Sequence, residues 1–466
     1  MPRWNLTWLL GISSIALLGY AVSHSAPPRE KDQDYELVRL VVDVLDEVEH
    51  KYVRSLDAQA KRKLVEDMVN GGLEHLDPHS GFINERSYKR FTQNNKGKFG
   101  GVGIQVNLDP FNAGRLTVAS PMIDTPAYNA GVLPGDVILK IDGKSTENMR
   151  MLEAIDLITG DPGTKVSLSV LHKGSKNPVD LEMTRAMIEV PSVLGDVRKD
   201  GHPQEWEFTI DKANQIGYVR LISFSETTAT ELRTVLGKLQ KEDVRGVVLD
   251  LRTNPGGLLR AAVEVSRMFL HQGRIVSTKG RNLEEEVYEA KPSGEILPSD
   301  VPMVVLIDRF SASASEIVAA ALQDHQRAIV VGERSYGKGS VQNVIEMEGR
   351  RSALKLTTAS YWGPSGKNIH RFPDSKDTDD WGVRPNPGFE VAMTDGEQIA
   401  YLQYRRDRDA VPGKAGSLSP RPKTENENGK ENAPFEDRTL KKALEYLRGQ
   451  IDKAALAPGV FGSENS

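Results

Sequence analysis

The chain has no cysteine, and that absence removes three chemistries at once: a disulfide framework, a thiolate nucleophile and a cysteine-ligated metal site. Histidine is scarce, 9 in 466 residues, and scattered without carboxylate-rich ligand spacing, so a catalytic metal is not expected. An excess of one charge is missing as well: 60 Lys plus Arg face 65 Asp plus Glu, a net −5. With no basic field, nucleic acid is not an expected partner. The phosphate-cradling pattern G-x-x-x-x-G-K-[ST] is not met, because Gly339 separates Lys338 from Ser340.

What is present begins with an apolar run, Leu6 to Val22, behind Arg3 and ahead of Ser23-His24-Ser25-Ala26. Residues 1–26 therefore read as an export signal or a retained anchor, the run being longer than a usual signal core and slightly short of a ~20-residue span. Cleavage is the favoured outcome, and either form puts the body in the periplasm of a Gram-negative cell, held at the inner membrane if anchored. The length allows two or three domains. Residues 32–94 read as helical, with Leu37, Leu40, Val41, Val44 and Leu45 on one face and Leu64, Met68, Val69, Leu73 and Leu76 on another.

The organising stretch runs from Val304 to Gln342. An apolar strand pattern, Val304–Ile307, gives way to small hydroxylated residues and then to an alanine-rich helical segment, Ile317–Leu322. A serine in such a turn sits beside helix N–H groups that have no intrahelical partner and can hold an oxyanion. A second run, Ala328–Val331, leads to Gly337-Lys338-Gly339. A lysine packed in apolar surroundings loses part of its ordinary basicity and can act as a base. If Lys338, Ser340 and Gln342 lie in one extended strand, their side chains face one way.

Taken alone, the serines read as helix N-caps through Ser311, Ser313 or Ser315. Together, S-A-S-A-S-E followed by Y-G-K-G-S-V-Q resembles the carboxy-terminal processing, or tail-specific, serine proteases. The resemblance implies Ser313 as nucleophile, Lys338 as general base and Gln342 as the residue that orients the lysine. Ser335-Tyr336 departs from the more usual Thr-Phe and bears on local packing only. A serine–histidine arrangement is the competing chemistry. His325 lies twelve positions beyond Ser313, roughly 18 Å along a helix at ~1.5 Å per residue, which excludes direct proton transfer. His370 stays open to folding back.

The segment Phe99-Gly100-Gly101-Val102-Gly103-Ile104-Gln105-Val106, with Ala130-Gly131-Val132 and Pro134-Gly135-Asp136-Val137-Ile138, resembles a PDZ domain over residues 97–186. That implies a carboxylate-binding loop and strand at Gly101, Val102, Gly103, Ile104 and Val106, with a helix Met151–Ile158 walling the groove. The resemblance implies a protease core over residues 190–402, including cap segments. Its strands and helices are expected at Ile216–Ile222, Ala229–Gln240, Gly246–Leu251, Val344–Met347 and Ala353–Tyr361. Asp250-Leu251-Arg252-Thr253-Asn254-Pro255-Gly256-Gly257-Leu258 resembles the family's second oxyanion element, implying one donor from Gly256 or Gly257 and the other from Ala314, with Asp250 and Arg252 a structural pair. Residues 405–434 read as a flexible linker. Residues 435–455 read as an amphipathic helix for docking or assembly.

The expected fold is α/β: a mixed-sheet ββα-type (ClpP/crotonase-like) protease core with an inserted PDZ domain and N- and C-terminal helical elements. The expected function is endoproteolysis of exported proteins recognised near their C-termini, by a Ser-Lys dyad, a chemistry that implies no metal or organic cofactor. The partners the resemblance implies are proteins or peptides with exposed C-termini, a lipoprotein or repeat-protein adaptor, and further copies of the chain through its terminal helices. The rivals are a catalytically silent PDZ scaffold and a serine–histidine hydrolase on the same core.

Overall fold

The computed structural model describes residues 30–109, 114–411 and 435–456, and the chain divides after Leu76 into two compact units. The apolar run at residues 6–22 and most of the expected linker lie outside the described residues. Among those described, no helix is long and apolar enough to cross a membrane.

The first unit holds α1 (Glu30–Lys51) and α2 (Ala58–Glu74). Asp57 starts α2 by accepting the Ala60 N–H at 2.7 Å. The apolar stripe of α1 is where the periodicity puts it, yet it is exposed, with Leu37 at 64% and Leu40 at 60%. Residues 77–94, expected to continue this helical region, belong instead to the second unit. There the Asp77 carboxylate accepts the N–H groups of His79 and Ser80, turning the chain into β1 (Gly81–Ile83), and α3 (Glu85–Lys96) follows.

Next comes a small β module. Its strands are β2 (Lys98–Gly101), β3 (Ile104–Asp109), β4 (Arg115–Pro121) and β5 (Val137–Ile141); α4 (Met151–Ile158) and then β6 (Lys165–Leu171), β7 (Val179–Thr184) and β8 (Ala186–Glu189) complete it. The helix coincides with the stretch expected to form it. The main sheet runs β3-β4-β5-β6-β7, which leaves β3 at an edge, while β2 pairs with β8. In β6 the alternation Val166, Leu168, Val170 buries one face, as a half-covered antiparallel strand requires.

The core is built on four parallel strands in chain order, β9 (Ile216–Leu221), β10 (Gly246–Asp250), β13 (Met303–Ile307) and β14 (Ile329–Gly332). Between β10 and β13 come β11 (Gly273–Gly280) and β12 (Leu283–Ala290). The continuous apolar sequence of the parallel strands follows from cover on both faces. One face carries α5 (Thr228–Lys241), α6 (Leu259–Arg267) and α7 (Ala314–Asp324). A second sheet, formed by β15 (Ser340–Met347), β16 (Ser352–Trp362), β11, β12 and β1, stands beside it.

Two expectations about the C-terminal part are corrected. The chain from Arg405 is not linker at its start: α8 spans Asp395–Asp409, opened by a capping box between Thr394 and Glu397, and Arg405 is buried in ion pairs with Asp196 and Asp409. The last helix, α9 (Arg438–Leu456), lays Leu440, Ala443, Leu447 and Ile451 on Tyr218, Val248 and Val304, covering the other face of the chain's own parallel sheet. Of the two roles expected for this helix, docking is the one seen, and assembly through its apolar stripe is the part corrected.

Candidate active site

Strand β13 leads into Asp308, a buried carboxylate that accepts N–H groups from Thr253 and Phe310. One acceptor thus fixes two loops, the one after β10 and the one before α7. Ser311 and Ser315 are buried and donate to the carbonyls of Leu251 and Asn254, at 2.9 and 3.0 Å. Two of the three alternating serines are therefore staples between these loops.

Ser313 lies between them, half-buried, at φ 56° and ψ −113°. A non-glycine residue there costs roughly 1–3 kcal/mol and persists only where its surroundings over-determine it. Gly256 is one reason it does, since a Cβ on Gly256 would meet Ala312 O at 2.6 Å and Ala314 N at 2.9 Å. Only glycine lets this loop lie against the serine turn. The N–H of Gly256 donates to Asn254 Oδ1 at 2.8 Å, so of the two glycines offered as oxyanion donors it is Gly257 whose N–H is not committed to that side chain. Ala314 opens α7, where first-turn N–H groups have no intrahelical acceptor.

The second reason is Glu316, which was not singled out in the sequence although Ser313-Ala314-Ser315-Glu316 carries the capping-box spacing. Its Oε2 accepts the backbone N–H of Ser313 and that of Lys338, each at 2.8 Å. The two backbone nitrogens can be no further apart than twice that distance. Its Oε1 accepts the Ser335 hydroxyl and the Gly337 N–H, each at 2.6 Å. Burial pushes the Glu316 carboxyl up to about 7, against the pull of these donors.

Lys338 does not lie in a strand, contrary to the expected alternation; β15 begins at Ser340, in the second sheet. Its side chain is half-buried, and burial, followed by the charge of Lys355, holds the amine below its ordinary basicity. Gly339 lets the strand pass close to the 369–370 peptide, since a Cβ there would meet His370 N at 2.3 Å. So His370 does fold back beside the lysine segment, its ring edge-on to Phe372. His325 does not: its Nε2 lies 2.7 Å from Arg274 O. Gln342 shares a face with Ser340 and donates through Nε2 to Ser340 Oγ at 2.8 Å and to Thr357 Oγ1 at 3.3 Å. Among the described residues no hydrogen bond joins Ser313 Oγ, Lys338 Nζ and the Gln342 amide.

Below the loop after β10, Arg252 is fully buried between Asp250 and Asp437, at 2.7 and 2.9 Å, with Tyr401 under its guanidinium. This pair is structural, and it ties the loop to the residue just before α9.

In the β module, Val102 is fully buried and its carbonyl accepts the Ala127 N–H, while Gly101 is paired within β2. Gly103 is buried against Thr125 at φ 77°. Ile104 and Val106 lie on the edge strand β3 and pack toward the module's core, as do Met151 and Leu157 of α4. An edge strand can take an added peptide strand, with pockets for alternate side chains.

Comparison with known proteins agrees with this layout. Residues 215–380 match the model of peptidase family S41, and residues 117–171 match a PDZ domain. A carboxy-terminal-processing protease of Bartonella bacilliformis is 36% identical over 98% of this chain and 99% of its own length. A carboxyl-terminal-processing protease of Synechocystis is 32% identical over 88% of this chain and 93% of its own. A carboxy-terminal processing protease of Bacillus subtilis is 34% identical over 73% of this chain and 66% of its own.

Proposed function

Because this chain belongs to the carboxy-terminal-processing peptidases of family S41, which are serine proteases, we propose that Ser313 and Lys338 form its catalytic dyad. The neutral amine of Lys338 takes the Ser313 proton as Oγ attacks the scissile carbonyl, and the oxyanion rests on the N–H groups of Gly257 and Ala314. The protonated lysine then returns its proton to the leaving amine. Water, deprotonated by the same amine, releases the acyl group and restores the serine.

The observation that carries this reading is Glu316, whose single oxygen accepts the N–H groups of both proposed dyad residues. A shared acceptor fixes their backbones relative to one another, and side-chain rotation closes the remaining gap when peptide is bound. Gln342 orients the amine. The substrate's C-terminal region adds to the open edge of β3 beside α4, delivering exported proteins for cleavage in the periplasm. The exposed apolar stripe of α1 is the surface offered to a second copy or an adaptor.

The experiment is turnover of an unstructured protein by wild type, Ser313→Ala, Lys338→Ala and His370→Ala. Loss in the first two variants with activity kept in the third is expected. Turnover by Lys338→Ala with loss in His370→Ala establishes a serine–histidine hydrolase, and equal behaviour of wild type and Ser313→Ala leaves a silent scaffold.

A further inference from the structure

The dyad reading leaves unexplained how the Gln342 amide is oriented, since an amide offers a donor at one end and an acceptor at the other. The answer lies outside the protease core, in the turn that precedes β1. Asp77 Oδ1 accepts the N–H groups of His79 and Ser80 at 2.7 and 2.9 Å, and Oδ2 accepts the Ser80 hydroxyl at 2.6 Å. Burial works against ionisation here, but the bonds from Ser80 and His79 hold the carboxyl below its ordinary range. It is an ionised, acceptor-only group at neutral pH.

Thr357 on β16 lies between this turn and Gln342. Its backbone N–H donates to Ser80 Oγ at 3.0 Å and its hydroxyl donates to Asp77 Oδ1 at 3.0 Å. With its only hydroxyl hydrogen committed to the carboxylate, Thr357 Oγ1 can do nothing toward Gln342 but accept. The Gln342 residue, directly opposite in the β15–β16 ladder, meets it with Nε2 at 3.3 Å.

We propose that Asp77 and Thr357 form a polarity relay that sets which end of the Gln342 amide is presented to Lys338. With Nε2 held by Thr357 and Ser340, the carbonyl end is the one free to accept an N–H of the neutral lysine amine. The amine's lone pair then stays available for the Ser313 hydroxyl. An amide turned the other way offers Lys338 a donor, which competes with serine for the lone pair and disfavours the ammonium form. Asp77 and Thr357 are thus positioning residues for the base, and the proposal rests on the reading of Lys338 as that base.

The test uses the full chain with Thr357→Val, which keeps the shape and removes the hydroxyl, Thr357→Ser, which keeps it, and Asp77→Asn. Thr357→Val and Asp77→Asn are expected to lose roughly tenfold in kcat, the weight of about one hydrogen bond. KM stays unchanged, and the acid limb of the pH profile of kcat/KM moves to lower pH. Thr357→Ser restores both kcat and the limb. A packing role predicts equal loss in the valine and serine variants with no movement of the limb, and that result overturns the relay. So does a Thr357→Val enzyme with wild-type kcat and pH profile, even if Asp77→Asn fails to fold. The dyad reading fails separately, through turnover by Lys338→Ala, so the two failures are distinguishable.

Discussion

Glu316→Gln isolates the role of the carboxylate that joins the two halves of the site. The carboxylate accepts from Ser313 N, Lys338 N, Gly337 N and Ser335 Oγ, using both oxygens. A glutamine has one acceptor oxygen, so whichever pair of donors faces its NH2 group loses its acceptor. At about 1.5–3 kcal/mol for each hydrogen bond to a charged group, two losses cost about 3–6 kcal/mol. The amide also removes a buried charge. A carboxyl raised from 4.5 to about 7 carries roughly 3 kcal/mol of unfavourable ionisation above pH 7, which the variant escapes. Because the raised value is already net of those bonds, the two figures do not simply subtract, and the stability of the variant stays within about 3 kcal/mol of wild type in either direction. Turnover is expected to fall much further, by about a hundredfold, because displacing a reacting group by ~1 Å is enough for that.

The pH dependence has a definite sign. The raised carboxyl contributes stability that is present below pH 4.5 and lost as pH rises toward 7, whereas the amide contributes no slope. Melting curves at several pH values should therefore show the difference moving in favour of Glu316→Gln as pH rises across that window. A variant with wild-type turnover refutes the reasoning, because the shared oxygen would then not be what positions the dyad.

Three further outcomes follow from the geometry. Lys338→Arg should be inactive at every pH, since a guanidinium stays protonated, whereas wild-type activity should rise with pH through the lowered pKa of Lys338, where the base form appears; a pH–rate profile checks both. Gly256→Ala should abolish turnover and cost about 1–3 kcal/mol by thermal unfolding, because the added methyl meets the Ala312 carbonyl and the Ala314 N–H. Asp437→Ala should lower stability by about 2–3 kcal/mol in denaturant unfolding, since the fully buried Arg252 loses the partner that faces it from beyond Asp250.

The local patterns were readable because they depend on near neighbours in the chain. The period of two in Val166, Leu168 and Val170, the continuous apolar runs of the parallel strands, and the helix Met151–Ile158 all follow from which side chains must leave water. The helix start after the serine turn was readable as well, whereas Glu316, one helical turn beyond Ser313, was not singled out. The sequence misled where a polar surface hid a buried role: the charged residues from Arg405 onward read as linker, yet α8 buries Arg405 in ion pairs with Asp196, more than two hundred positions away. It could not say that α9 covers the sheet of its own chain, because an amphipathic stripe does not name what it packs against.

The proposed catalytic contacts divide the same way. In the sequence it is the resemblance of the serine and lysine motifs to the family that points to Ser313, Lys338 and Gln342. Only folding brings Gly256 under the serine, gives one oxygen of Glu316 to two backbones, and sets Asp77 behind Thr357. Those contacts span large separations in the chain, and no local propensity encodes which distant donor will meet which acceptor until the sheets have fixed their positions.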